Sequence, residues 1–262
     1  GHNGNKTVVT IEFINGHKLV YKPKNLDVNI SFKKLCDYLN KSERFLELKA
    51  TKTLSYKDHG YEEFIEHFKC KTHEELENFY IRFGYILCLI YLLNGTDMHM
   101  ENLIAHGEYP VIVDLETLLQ QPHLYILDQD KKMRDVFDEI FNSVERTALL
   151  TVALDVDGNS KKVEIGALKG SETEITDVLN IVAEETDQMR FEKSTVIMPG
   201  SKNIPYENQK EDFFKNFKDI IIKGFEEMYN YFLEQKEDAR FCEVIEGFKY
   251  NKMRCILKDT NK

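Results

Sequence analysis

The feature that most constrains the fold is a single long amphipathic-to-apolar segment, Thr72 to Leu93, closed by Asn94-Gly95. Thr72 followed three residues later by Glu75 reads as a capping box. The second half, GYILCLIYLL from Gly84 to Leu93, is apolar nearly all round, which places it inside a core and not on a surface. That run is about half of the ~20 residues a membrane span requires, so a buried helix is the expectation. Asn94-Gly95 supplies the residue types that adopt a left-handed C-terminal cap. A chain organised on such a spine needs other elements to cover it, and 262 residues are enough to do so as one large domain or two lobes.

Ahead of the spine lies a β-rich stretch. Thr7 to Phe13 is β-branched and aromatic, Asn15-Gly16 supplies a turn, and His17 to Lys22 is a second extended run that Pro23 terminates. Ser31 to Asn40 reads as an amphipathic helix with Ser31 as N-cap, and Tyr61 to His67 reads as a further strand, with helix as its competitor. Beyond the spine, Met133 to Thr147 reads as helical and Leu149 to Leu168 as a hairpin turning at Asp157-Gly158-Asn159. Phe191 to Gln209 reads as loop-rich around Pro199-Gly200. Asp212 to Gln235 reads as an amphipathic helix with a Phe225-Met228-Phe232 stripe, and Met253 to Leu257 as a last extended piece. The expectation is an α+β, bilobal, kinase-like core: a small β-rich lobe over residues 1–70, a larger helical lobe over 71–262, and an inserted region around 120–210.

Composition narrows the partners. A formal net charge of -10 argues against a general nucleic-acid binder, since phosphate neutralisation needs clustered Lys and Arg. Five cysteines, an odd number with no CxxC spacing, indicate neither a disulfide framework nor a zinc knuckle. Cys36 and Cys88 fall in apolar periodic segments and read as small core residues in a protein of a reducing cytoplasm. No signal peptide or membrane span is expected, and the abrupt start at Gly1-His2 reads as a piece of a longer protein.

The chemistry concentrates in Asn94 to Glu116, NGTDMHMENLIAHGEYPVIVDLE. Asp97, His99 and Asn102 occupy a loop directly after the buried helix, and Asp114 and Glu116 follow a hydrophobic strand. Phosphoryl transfer needs a group that positions the attacking hydroxyl and oxygen ligands for Mg²⁺ on the nucleotide phosphates. Kinases supply these in the same order, from a loop after a buried helix, an Asn a few residues on, and an Asp after the next hairpin strand. Here D-x-H-x-x-N stands for the usual H-R-D-x-x-x-x-N, and Asp-Leu-Glu for Asp-Phe-Gly. Taken singly, each residue reads as readily as a turn or loop residue; the ordered set carries the argument. A strand-borne cation for the phosphates is met by Lys22, with Lys24 close behind. No G-x-G-x-x-G loop occurs in the first hairpin, which counts against an ordinary protein kinase. The competing readings are a phosphotransferase without further chemistry, a pseudokinase, and a metal-dependent hydrolase using Asp97, His99 and Glu101.

Four segments, KLVYKPKNL (Lys18 to Leu26), YEEFIEH (Tyr61 to His67), YLLNGTDMHMENLIAHGEYPVIVDLETL (Tyr91 to Leu118) and KGFEEMYNYF (Lys223 to Phe232), resemble the dehydratase domain of class II lanthipeptide synthetases. The resemblance implies a lipid-kinase-like core that phosphorylates Ser and Thr of a precursor peptide from ATP and then eliminates phosphate to leave dehydroalanine or dehydrobutyrine. It implies that Asp97 orients or deprotonates the substrate hydroxyl, that Asn102 and Asp114 hold Mg²⁺, and that His99 and Glu116 support the phosphate site. Lys22 or Lys24 would bind phosphate, and Arg254 and Thr260 would serve elimination. The family's Asp-x-His pair before the first hairpin would correspond here to His2 alone, without its Asp. Ring closure would fall to a cyclase domain of the same longer chain.

Overall fold

The architecture was obtained as a computed structural model, which describes residues 6–120, 135, 139–150, 153–155, 162–164, 166–168, 173–183, 186–198, 202–206 and 213–254. The first hairpin forms where the alternating runs place it: β1 (Val9–Glu12) pairs antiparallel with β2 (Lys18–Lys22), with Gly16 at φ 81 in the turn. Helix α1 (Asp27–Asn40) follows, then β3 (Thr53–Ser55) and β4 (Gly60–Glu63). The four strands make one antiparallel sheet in the order β1-β2-β4-β3. Its register sets Val20 opposite Glu62 and Lys22 opposite Gly60, so Lys22 and Glu62 share one face.

Helix α1 begins five residues earlier than Ser31 as N-cap predicts, its N-cap being Leu26. Asn25 Oδ1 accepts from the Asp27 N–H at 3.1 Å, and Ser55 Oγ takes the Leu26 N–H at 2.9 Å, so the amides at the helix start are satisfied by side chains from outside the helix. Ser31 is therefore an interior, buried position whose hydroxyl donates to Gly247 O at 3.3 Å.

The spine is α2 (His73–Leu92). Thr72 caps it as expected, accepting from the Glu75 N–H at 3.1 Å, but Glu75 reaches back to the Lys71 N–H instead of that of Thr72. At the other end Asn94, at φ 50, takes the left-handed position; Gly95 is present because its backbone lies against Ile90 and Leu118 with no space for a side chain. A second hairpin, β5 (Leu103–His106) with β6 (Tyr109–Ile112), leads to Asp114. Further on, β7 (Ala153–Asp155) pairs with β8 (Lys162–Glu164), while the expected turn residues between them lie outside the described ones.

β9 (Thr173–Val182) and β10 (Arg190–Met198) form a two-stranded ribbon with an irregularity between Ser194 and Val196. That strand corrects the loop-rich reading from Phe191: RFEKSTVIM is rich enough in β-branched and aromatic residues to pair, and the Pro199-Gly200 breaker lies beyond its end. The helical reading of Met133 to Thr147 is met in part, by helix at 139–141 and a 3₁₀ turn at Val144–Thr147 started by Ser143.

Helix α3 (Lys218–Gln235) packs across α2, burying Ile221, Gly224, Met228 and Tyr231, which share one face of a 3.6-residue period. The two backbones meet at Gly84 and Gly224. A Cβ on Gly84 would sit 2.2 Å from Ile221 O, and one on Gly224 would sit 2.3 Å from Ile81 O. Around this crossing Tyr80 stacks on Phe217 at 4.4 Å, and Phe45 meets Tyr85 and Tyr231 edge-on. Cys36 and Cys88 are buried within the core. Helix α4 (Ala239–Glu246), which the pattern reading passed over, is capped by Asp238 and packs on α1. Among the described residues no helix is long and apolar enough to cross a membrane.

Candidate functional site

The loop after α2 is pinned from several sides. Thr96 N–H donates to Thr117 O at 3.1 Å and Met98 N–H to Thr147 O at 2.8 Å, while Met98 itself is fully buried. Between these anchors Asp97 adopts φ 60, a left-handed conformation that few non-glycine residues tolerate and that Asp tolerates better than most. Asn102 Nδ2 donates to Asp97 O at 2.7 Å, and Asn102 O accepts from the Val113 N–H at 2.9 Å. The loop is thereby tied to the strand that delivers Asp114. His99 Nε2 stands 3.7 Å from Asp97 Oδ1, and its Nδ1 accepts from the Glu101 N–H at 3.3 Å.

Two cations close on the other side. Lys24 Nζ lies 2.9 Å from both Asp114 oxygens and 2.7 Å from Glu116 Oε2. Arg254 pairs with the other Glu116 oxygen, its N–H donates to Glu116 O at 3.3 Å, and Gln120 Nε2 donates to Arg254 O at 2.7 Å. Lys24, Asp114, Glu116 and Arg254 line one cleft of about 910 Å³, together with Lys6, Lys57 and Lys252. Of the two candidate lysines, Lys24 lines this cleft. Lys22 is only 6% exposed; its ammonium lies 2.5 Å from Glu62 and also donates to Val113 O.

The two aspartates are driven in opposite directions. Partial desolvation of the half-exposed Asp97 side chain, reinforced by the charges of Asp114 and Glu116, raises its carboxyl above the ordinary range, against the opposing pull of His99 and Arg254. Burial would raise Asp114 as well, but Lys22 and Lys24 outweigh it and hold that carboxyl low. The same pairs raise Lys24 despite its own desolvation. A carboxylate kept ionised beside an amide oxygen is a donor set suited to a hard divalent cation. Asn102 fits that set, because its nitrogen is committed to Asp97 O and its oxygen is the atom it can offer.

The structure thus brings together Asp97, His99, Asn102, Asp114, Glu116, Lys24 and Arg254, with Lys22 immediately behind. His2 and Thr260 lie outside the described residues. Among the described residues no three His, Cys, Asp or Glu side chains converge as a metal site, so the hydrolase arrangement of Asp97, His99 and Glu101 gains no support. Sequence reasoning missed Glu62, which pairs with Lys22, and Asn29, which donates to Glu62. The available signal was the two-residue alternation of β4, which puts Glu62 on the face shared with Lys22.

A family model described as "Domain of unknown function (DUF4135)" matches residues 1–262. The lacticin 481/lactococcin biosynthesis protein LcnDR2 of Lactococcus lactis subsp. lactis is 32% identical over 249 residues, covering 90% of this chain and 26% of that protein. The chain spans about a quarter of the length of this curated relative.

Proposed function

The chain belongs to the DUF4135 domain family, and from that premise we propose that it is the kinase-like core of a class II lanthipeptide synthetase, a bilobal fold acting in two steps on a precursor peptide. The relative's role in lacticin 481/lactococcin biosynthesis supports this reading, and the resemblance of the quoted segments makes the cytolysin synthetase a candidate for the whole protein. The observation that carries it is the convergence of Lys24 and Arg254 on Asp114 and Glu116 in one cleft, beside the Asp97–Asn102 loop.

In the first step Asp97 orients the Ser or Thr hydroxyl and accepts its proton as the oxygen attacks the γ-phosphorus of ATP and the bond to the β-phosphate oxygen breaks, releasing ADP; its raised carboxyl suits it to that role at neutral pH. Asn102 and Asp114 are the oxygen donors that would hold Mg²⁺, which when bound neutralises phosphate charge. Lys24 meets phosphate oxygens from the cleft wall, and His99 and Glu116 keep Asp97, Lys24 and Arg254 in place. In the second step a general base takes the α-proton of the phosphorylated residue, the C–H electrons form the double bond, and the Cβ–O bond breaks with phosphate leaving on its electron pair. Arg254 stabilises the departing charge, with Thr260, His2 and the two lysines assigned to the same half-reaction by resemblance. Cyclisation belongs to another domain of the longer synthetase, and the setting is cytoplasmic.

Peptide mass after incubation of the full-length synthetase with precursor, ATP and Mg²⁺ tests the proposal. Wild type yields dehydrated peptide, Arg254→Ala yields phosphopeptide, and Asp97→Asn leaves the peptide unchanged. Phosphopeptide alone from wild type would remove the elimination step, and no ATP-dependent mass change would remove the kinase reading.

A further inference from the structure

Behind the cleft Lys22 belongs to a buried polar relay whose other members, Glu62, Asn29 and Thr51, the two-step reading does not use. Glu62 on β4 is 2% exposed, yet its carboxylate is fully engaged. One oxygen stands 2.5 Å from Lys22 Nζ; the other accepts from Asn29 Nδ2 at 2.6 Å and Thr51 Oγ1 at 2.9 Å. Lys22 in turn donates to Val113 O, the carbonyl immediately before Asp114. Asn29 sits in α1, is 3% exposed, and also borders the cleft. Three elements, α1, β4 and β2, therefore converge on the backbone that presents Asp114.

A buried carboxylate is costly unless its charge is needed. Lys22 already supports Asp114 electrostatically, and a second lysine, Lys24, contacts Asp114 directly. Both lysines keep Asp114 ionised, but two unbalanced cations beside it would also repel an approaching divalent metal. We propose that Glu62, held in place by Asn29, is a positioning residue that acts as the counter-charge to Lys22: it directs the Lys22 ammonium to Val113 O and so preserves the charge of Asp114 for Mg²⁺-bound nucleotide. In protein kinases the glutamate paired with the strand lysine comes from the helix; here the helix contributes the amide of Asn29 and the strand contributes the carboxylate.

The inference rests on the kinase-like reading and makes a prediction of sign that loosened packing does not share. In Glu62→Gln the Lys22 ammonium has Asp114 as its remaining nearby carboxylate, so the metal competes with an unbalanced cation. Nucleotide binding to the full-length protein, followed with a fluorescent ATP analogue in Mg²⁺ and again in EDTA, reads this directly. Expected is a loss of about 10-fold in affinity with Mg²⁺, the equivalent of one unpaired charge contact, and a change within about twofold without it. Asn29→Ala shifts the same ratio in the same direction by about 3-fold, and it supplies the test should Glu62→Gln fail to fold. Equal loss in both media, or no loss in either, would overturn the counter-charge role. Absence of nucleotide binding by wild type in both media would overturn the kinase-like reading, and this inference with it, whereas with a wild type that binds, the behaviour of the variants bears on Glu62 alone.

Discussion

Replacing Gly84 by Ala should strike the fold at its narrowest point and, through it, the site. The added methyl would sit 2.2 Å from Ile221 O, 2.9 Å from Phe225 N and 3.0 Å from Gly224 Cα, all of them backbone atoms. Ordinary contact begins at 3.4 Å, so the helices must part by about 1 Å at this point. No side chain can rotate away to absorb the clash. Overpacking of this kind costs about 3 kcal/mol when the obstruction is rigid, against which alanine's better helix propensity returns about 1 kcal/mol. The net loss of about 2 kcal/mol corresponds to a fall of about 4–8 °C in the midpoint for a domain of this size. Gly224→Ala should behave alike, since its methyl meets Ile81 O at 2.3 Å. The double variant should lose less than the sum, because one separation relieves both clashes. Thermal unfolding followed by far-ultraviolet circular dichroism measures all three. Midpoints at or above wild type would show that the helices slide freely past each other, and strict additivity would show that the two glycines do not share one contact.

Three further outcomes follow from the site and its supports. Asp114→Asn should lower stability at neutral pH, because the folded protein depresses the Asp114 carboxyl; the difference from wild type should be full above the ordinary carboxylate range and vanish as pH falls through the depressed value, as midpoints across a pH series will show. Glu116→Gln weakens the ties to Lys24 and Arg254, and because these groups are partly solvated the cost should stay near about 1 kcal/mol and shrink with added salt in denaturant titrations. Asn94→Gly should be nearly neutral and Asn94→Val should cost about 1–2 kcal/mol in the same titrations, because the residue holds φ 50.

The legible parts of the fold were those with a strong period or a strong breaker. The α2 spine could be read from its cap and its continuous apolar half, and the first hairpin from Asn15-Gly16 between alternating runs. The start of α1 could not, because its amides are satisfied by Asn25 and by Ser55, the latter nearly 30 residues away in sequence and brought near only by the sheet. Strand β10 was lost for a related reason: its partner β9 supplies its hydrogen bonds, and the nearby Pro-Gly pair dominated the local pattern. In the site, the proximity of Asp97, Asn102 and Asp114 was legible because a loop directly after a buried helix and the end of the next hairpin strand are neighbours in the fold. The division of labour between Lys22 and Lys24 was not. It depends on β2 ending at Lys22, after which Pro23 turns Lys24 out of the strand and into the cleft.

The arrangement also explains why a chain would keep an aspartate at a position its own fold disfavours. Asp97 combines a left-handed backbone with a half-exposed carboxyl that partial desolvation and two neighbouring acids push upward, so its ionised form is opposed by the folded state. An asparagine there would tolerate the backbone equally well and would remove the charge conflict. Asp114, 17 residues later in sequence, receives the opposite treatment from two lysines. Stability alone would not select this contrast. The proposed two-step reading accounts for it, since groups held at different proton affinities can accept a proton at one carboxylate and retain a cation at another at one pH. The relay from Asn29 through Glu62 to Lys22 then extends the same logic inward, balancing one buried cation so that the charge of Asp114 remains directed at the cleft.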